Sequence, residues 1–106
     1  MLSYPDKCVI RRETGEADEF GNVKTVDVYK GNCDFQAGGE SYPSMIIHSD
    51  MVYIQGAVMA QDNDLISITT ALGVSHEGVV RRVKNLGLDV TGRYVTEMEV
   101  KQSTEQ

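Results

Sequence analysis

Several short segments of the chain alternate between apolar and polar residues, and this period of two predicts β-strands. The alternation is clearest in residues 93–100, where Thr96 and Met98 fall on one predicted face and Glu97 falls on the other. The remaining predicted strands are residues 7–13, 23–29, 33–37, 45–55, 65–70 and 77–84, with residues 56–60 as a small edge element. No segment has a convincing helical period. The sequence therefore predicts an all-β fold, a sandwich or barrel, and we expect a small antiparallel β-barrel of about six to seven strands.

The length of the chain, 106 residues, leaves room for one hydrophobic core. We expect a single β-barrel domain over residues 1–106, in which residues 1–6 are an N-terminal arm and residues 101–106 are a polar C-terminal tail. Trp is absent and Phe occurs twice, so the predicted core is aliphatic, and Tyr53 and Tyr94 are expected to contribute to it. Cys8 and Cys33 lack a metal-binding spacing and are predicted to be reduced thiols on strands.

Glycine and asparagine residues mark the predicted reversals of the chain, because both tolerate positive φ. Residues 14–16 should end the first strand, and residues 20–22 should form a turn from which Phe20 folds back onto the barrel as a plug. Residues 30–32 should form a tight reversal between two strands. Later turns or breaks are predicted at residues 62–64, around Gly73 and at residues 85–87.

A glycine pair opens the segment that we expect to be a long, exposed and mobile loop. Gly38 and Gly39 free the backbone, and Pro43 cannot donate a hydrogen bond to a strand ladder. The candidate loop for subunit contact or gating consists of Gly38, Gly39, Glu40, Ser41, Tyr42, Pro43 and Ser44. Residues 45–50 extend this candidate, and the polar residues 48–50 interrupt the apolar run around them, which favours one bent strand or two short ones.

The net charge of −6 lies in the middle of the chain. Residues 31–80 contain six acidic residues and no Lys or Arg, whereas the two flanks together carry ten acids and ten bases. Proteins that grip nucleic-acid phosphates need clustered cations, so this distribution argues against such binding. No apolar run approaches the roughly 18–20 residues of a membrane span, and no membrane partner is expected.

Residues with catalytic or metal-binding chemistry do not form a recognisable set. His48 and His76 lack ligand spacing, and we interpret both as structural or exposed. Residues 62–64, Asp-Asn-Asp, resemble the start of a calcium loop but lack its later glycine and closing glutamate, so an Asx turn is expected. No serine lies in a nucleophile elbow, and residues 38–39 lack the Lys-Ser/Thr of a phosphate loop. We expect no enzyme activity, no cofactor and no metal site.

Arg81, Arg82 and Lys84 form the one basic cluster of the sequence, on a predicted strand with three valines. A nucleic-acid-binding barrel places such a cluster beside stacking aromatic residues. Contact with an acidic neighbouring subunit is the alternative that we favour, and the acidic middle segment supplies such a surface in a homo-oligomer.

Residues 9–12 (V-I-R-R), 18–23 (D-E-F-G-N-V) and 28–33 (V-Y-K-G-N-C) resemble the opening of the tailed-phage head–tail joining proteins, the head-completion or stopper subunits of phages and prophages. Those proteins open with a strand of the type v-t-I-x-R, a D-x-F-G-x-v turn and a further strand. The resemblance is best over residues 7–41 and extends more weakly to residue 100. Many members have Trp after the turn, where this chain has Val and Tyr.

The resemblance implies a β-barrel subunit that assembles as a homo-oligomeric ring in the virion, between the portal and adaptor proteins and the tail. It implies that the subunit is made in the host cytoplasm and that DNA passes through the ring without being specifically bound. Acidic residues facing the conduit would repel phosphates, so charge reversal at Glu40 and Asp50 should slow DNA passage or hinder tail attachment. The alternatives are a tail-completion or other minor phage structural protein, and an OB-like barrel that binds single-stranded nucleic acid.

Overall fold

The computed structural model of the protein describes residues 3–41, 46–88, 90 and 92–102. All regular secondary structure in these residues is β-strand, which confirms the predicted fold class. The eight strands are β1 (Asp6–Ala17), β2 (Val23–Gln36), β3 (Gly39–Ser41), β4 (Ile46–His48), β5 (Asp50–Gln55), β6 (Leu65–Thr69), β7 (Ser75–Leu88) and β8 (Tyr94–Gln102).

Six of these strands form a closed antiparallel barrel in the order β1-β2-β5-β8-β7-β6, and β3 and β4 form a separate two-stranded sheet. Because every barrel pairing is antiparallel, the strand connections divide between two ends. One end carries the β1–β2, β5–β6 and β7–β8 connections. The opposite end carries the β3–β4 sheet and the β6–β7 turn. The two ends of the barrel are therefore structurally different.

The barrel interior is aliphatic, as predicted from the composition. Buried positions alternate along the strands, with Ile66 and Ile68 on β6 and Met98 and Val100 on β8. Among the described residues, the core cluster consists of Cys8, Ile10, Cys33, Val52, Ile54, Ala60, Ile66, Ile68, Val80, Met98 and Val100. Tyr53 and Tyr94 do not contribute to it. Tyr94 is half exposed, and Tyr53 lies opposite Glu97 on the outer face of the sheet, so the prediction for these two side chains is wrong.

The predicted reversal at residues 30–32 is also wrong, because β2 continues without interruption through them. Gly31 lies opposite Cys8 in the ladder with β1. A Cβ atom at Gly31 would lie 2.7 Å from the hydroxyl oxygen of Tyr29, whose O–H donates to the Asn32 carbonyl at 2.7 Å. The glycine therefore makes room for the Tyr29 ring and does not form a turn.

Phe20 was predicted to fold back onto the barrel as a plug, but the segment that packs against the core at this end is the β5–β6 connection at residues 56–64. Phe20 is 80% exposed, whereas Ala60 is buried and Val58 packs against the core. The hydroxyl of Thr96 holds the connection on one side, donating to the Gly56 carbonyl and accepting from the Val58 amide. Short apolar side chains in this connection fill the barrel mouth, so Phe20 is left at the surface.

Arg12 and Asp64 hold the other side of the same connection. The Arg12 guanidinium donates to both carboxylate oxygens of Asp64 at 2.9 Å, and the carboxylate also accepts from the Gln61 amide. The hydrogen bonds from Arg12 to the Asp64 carboxylate raise the pKa of Arg12. Residues 62–64 form a turn, as predicted. Asp64, the last residue of this turn, is buried, and its carboxylate joins the connection to Arg12 of β1.

Asp6 was predicted to belong to the N-terminal arm, but it is buried at the start of β1. One carboxylate oxygen accepts from the Phe35 amide and the other from the Ala71 amide, both at 2.8 Å. Asp6 thus joins β1 to the last residues of β2 and to the β6–β7 turn. At the other end of the chain, β8 extends through Gln102, into the predicted tail.

Candidate assembly surface

Three surfaces outside the core are candidates for contact with other molecules: the projecting β1–β2 ribbon, the basic strip on β7, and the β3–β4 sheet. From here on, the arm means residues 13–26 of the β1–β2 ribbon and not the N-terminal residues 1–6. The basic strip means Arg81, Arg82 and Lys84.

The arm projects beyond the barrel because β1 and β2 are longer than their other neighbours. β1 pairs with β6 only up to Arg11, opposite Leu65. β2 pairs with β5 only from Asp34 to Gln36. Between these limits β1 and β2 pair with each other alone, among the described residues, out to Ala17 and Val23. The first strand therefore continues past residues 14–16, contrary to prediction, and Gly15 with φ +85° accommodates a register shift there.

Asp18 organises the turn at the tip of the arm. Its Oδ1 atom accepts from the Phe20 and Asn22 amides at 2.9 Å, and these bonds, led by the one from Asn22, lower the pKa of Asp18. Gly21 adopts φ +86°, as the predicted turn at residues 20–22 requires. The result is an ordered tip that presents Phe20 to solvent.

Side chains along the arm are exposed and largely acidic or apolar. Phe20, Val23 and Val26 are each more than half exposed. The arm contains four acidic residues (Glu13, Glu16, Asp18 and Glu19) and one basic residue (Lys24), a net charge of −3. An exposed strand pair that carries both apolar and acidic side chains is typical of a protein contact surface.

The basic strip lies on the outer face of β7 because of a β-bulge. Val80 and Val83 both face the core, although strict alternation would place them on opposite faces. A register shift between Arg81 and Lys84, with Arg82 at φ +51°, accounts for this change of phase. All three basic side chains are consequently exposed.

Acidic residues of β8 lie beside the basic strip. Glu99 is opposite Arg81 in the ladder and also 3.8 Å from the Arg82 guanidinium, and Glu97 is opposite Lys84. The row of outer side chains continues from Glu97 to Tyr53. The pKa of Tyr53 is raised by partial burial and by its hydrogen bond to Glu97. The Glu97 carboxylate therefore lies between the basic strip and the Tyr53 ring, and it would repel the phosphates of a nucleic acid that approached this face.

The predicted loop at residues 38–44 is in part a strand. Gly39–Ser41 is β3 and pairs with β4 at Ile46–His48, so residues 39–41 are not an irregular loop. Tyr42, Pro43 and Ser44 lie outside the described residues. Of the two alternatives predicted for residues 45–55, one bent strand or two short ones, the structure has two strands, β4 and β5.

Asp50 joins the base of the β3–β4 sheet to the barrel. It accepts hydrogen bonds from the Gly38 amide and from the side-chain amide of Gln102 on β8. The other acidic residues of the middle segment include Asp62 and Asp64, which bond the Arg82 amide and the Arg12 guanidinium. Several of the acids expected to form a repelling surface therefore stabilise the fold.

Residues with catalytic or metal-binding chemistry are dispersed in the part of the chain that the structure describes, and no three His, Cys, Asp or Glu side chains there form a metal-binding group. The His76 ring packs against Phe35 at a centroid distance of 4.5 Å, whereas the side chain of His48 lies outside the described residues. A cleft of about 540 Å³ opens between β2 and β8. Its lining includes Tyr29, Gln55, Arg93 and Tyr94 and contains no carboxylate among the described residues.

Cys8 and Cys33 are buried neighbours on β1 and β2, and both are free thiols. A hydrogen bond between the two side chains, together with burial, raises the pKa of the Cys8 thiol. Their placement on strands agrees with the prediction.

Comparisons with protein-family models, with curated proteins and with solved structures found no match to this chain. Among the described residues there is no helix of the length and apolarity that a membrane crossing needs.

Proposed function

We propose that this protein is a structural subunit of a tailed-phage or prophage virion, a head–tail connector or head-completion protein that assembles as a ring between the portal–adaptor complex and the tail. The observation that carries the proposal is the position of the residues that resemble the family. Residues 18–23 form the tip of an exposed arm, where Phe20 makes no core contact and is available to a partner.

The two different ends of the barrel support a position between unlike partners. The arm and the β5–β6 connection lie at one end, and the β3–β4 sheet lies at the other. A subunit in a connector ring contacts the portal side with one end and the tail side with the other, so unlike ends suit this role. In this arrangement the β3–β4 sheet lies at the end that contacts the portal side or the tail side, where it borders the DNA conduit.

The gating role of the β3–β4 sheet has a sharper test than charge reversal at both acids. Asp50 bonds Gly38 and Gln102, so its reversal would also disturb the barrel. Glu40 lies on β3 itself, so E40K is the better variant. We expect E40K virions to eject DNA more slowly or to attach tails less efficiently, with K30E as a surface control. Unchanged infectivity of E40K virions would contradict the gating role.

Mixing the purified protein with its portal–adaptor complex, and separately with completed tails, tests the proposed function. Negative-stain electron microscopy should show an added ring of density on the portal–adaptor complex. Binding only to tails would assign the tail-completion role instead. Binding to neither complex, with salt-sensitive attachment to a single-stranded oligonucleotide, would overturn the virion proposal in favour of the nucleic-acid alternative.

A further inference from the structure

We infer that copies of this protein associate head to tail, with the acidic arm of one copy against the basic strip of the next. The inference rests on the proposed function only for its biological setting, since the contact itself concerns two surfaces of one chain.

The strand order places the two surfaces on opposite sides of the barrel. The arm belongs to the β1–β2 pair and the basic strip to the β7–β8 pair. β6 separates these pairs on one side and β5 separates them on the other. A copy that uses its arm on one neighbour therefore has its basic strip facing away, towards a second neighbour.

The ladder registers place the two surfaces at the same end of the barrel. Leu65, at the start of β6, pairs with Arg11 of β1 and with Val79 of β7. Both longer strands then continue past Leu65 in the same direction, β1 into the arm and β7 into the basic strip. Two contact surfaces at the same end of the barrel and on opposite sides of it permit neighbouring copies to lie side by side in a plane.

The chemistry of the two surfaces is complementary. The arm has a net charge of −3, whereas the three bases of the strip outnumber the two acids that lie beside them on β8, Glu97 and Glu99. Both surfaces also expose apolar side chains, with Val23 and Val26 on the arm and Leu86 and Leu88 beyond the strip. Paired opposite charges give orientation, and the apolar side chains supply buried area.

The contact joins two different patches, so it is heterologous, and repeated use of it closes a ring or extends a filament. This assignment replaces the acidic middle segment as the expected partner of the basic strip. Asp62 and Asp64 of that segment already bond Arg82 and Arg12 within the same chain.

A complementary charge-swap experiment tests the contact. The arm variant carries E16K and E19K, and Asp18 is kept because it forms the turn. The strip variant carries R81E and K84E, and Arg82 is kept because it forms the bulge. A control variant carries K7E and K30E, which change the net charge as the strip variant does but lie on the outer face of β1 and β2 away from the strip.

Sedimentation equilibrium at high protein concentration is the measurement. We expect the unmodified chain and the control variant to self-associate, and each swapped variant to lose at least about tenfold in association constant from like-charge contacts. An equimolar mixture of the two swapped variants should recover association, because each arm then meets a strip of opposite charge. Raising the ionic strength from about 0.1 M to about 1 M shortens the Debye length from about 10 Å to about 3 Å and should weaken association.

The inference is overturned if the unmodified chain and the mixture both stay monomeric, or if the mixture only averages its two components. Circular dichroism and thermal unfolding of each variant show whether it is folded, and an unfolded variant is replaced by the single changes E16K and K84E. Recovered association without binding to a portal–adaptor complex would retain the contact and reject the proposed function. If both swapped variants bind that complex but the mixture does not associate, the proposed function is retained and the contact is rejected.

Discussion

Asp6 is the residue whose role is least visible in the sequence, because it lies in the segment predicted to be an N-terminal arm. Its buried carboxylate accepts two backbone hydrogen bonds, from Phe35 and Ala71, which are distant in sequence from it and from each other. We expect D6A to lower the free energy of unfolding by about 1–3 kcal/mol, since two partly buried amides lose their acceptor. Urea denaturation measures the change.

Asp27 offers the matched control for Asp6. It forms an ion pair with Arg11 at 3.4 Å in which both side chains are more than half exposed. D27A should therefore change the free energy of unfolding by less than about 1 kcal/mol. Equal losses for D6A and D27A would show that the Asp6 hydrogen bonds do not stabilise the fold.

The buried Cys8 thiol predicts a pH dependence of stability. The pKa of Cys8 is raised in the folded protein, so the folded state keeps its thiol proton at pH values where the unfolded chain, with an ordinary pKa of 9.0, releases it. The unfolded state then binds fewer protons, and stability falls as the pH rises above 9.0. We expect the fall to approach about 1 kcal/mol per pH unit from this group.

Comparison with C8A isolates the thiol contribution from those of lysine and tyrosine. Urea denaturation of both proteins between about pH 7 and about pH 10 should show a steeper loss for the unmodified chain. Parallel curves would refute the linkage.

Among the elements, the β5–β6 connection at residues 56–64 shows how an irregular segment completes a barrel. The small edge element predicted at residues 56–60 is wrong, because these residues form no strand. The connection is held by the Thr96 hydroxyl and the Asp64 carboxylate. The arm shows the converse, because its residues form paired strands although their side chains are exposed.

D64A should open this end of the barrel. The substitution removes the acceptor for Gln61 and for the Arg12 guanidinium, and we expect a loss of about 1–3 kcal/mol in the free energy of unfolding. Amide hydrogen exchange should speed up at Asn63 and Val80, whose hydrogen bonds join the connection to β7. D62A removes one exposed hydrogen bond and is the control. Unchanged exchange in D64A would show that the Asp64 carboxylate does not hold the connection.

At the scale of the whole molecule, charge is arranged by the barrel and not by sequence position. The acidic middle segment is dispersed, since its residues lie at both ends and in the interior. The surfaces of opposite charge are instead the arm and the basic strip, on opposite sides of one end.

We expect this arrangement to give negligible affinity for nucleic acid. Glu97 and Glu99 lie beside the basic strip, and Tyr53 lies beyond Glu97. Fluorescence anisotropy with a labelled single-stranded oligonucleotide at about 0.15 M salt should show no binding. Binding that weakens in R81E/K84E and persists in K7E/K30E would contradict this prediction and favour the nucleic-acid alternative.

The sequence by itself determined the fold class, the aliphatic core and most strands, because side-chain alternation is a local property that follows directly from the pleat of a strand. It also located the turns at residues 20–22 and 62–64 and around Gly73, where a glycine or Asx residue has a local reason. The basic cluster was visible in the same way.

Only the tertiary structure decided which segments meet. The sequence predicts a turn at Gly31, whereas in the structure the Tyr29 side chain occupies the space beside this glycine. The sequence predicts Phe20 as a plug, whereas Val58 and Ala60 fill the barrel mouth. Barrel closure brings the Ala71 amide to Asp6 and the Arg12 guanidinium to Asp64, and the roles of both carboxylates depend on these partners. Such contacts join residues far apart in the chain, and no local pattern encodes them, because their energy arises only once the strands are in register.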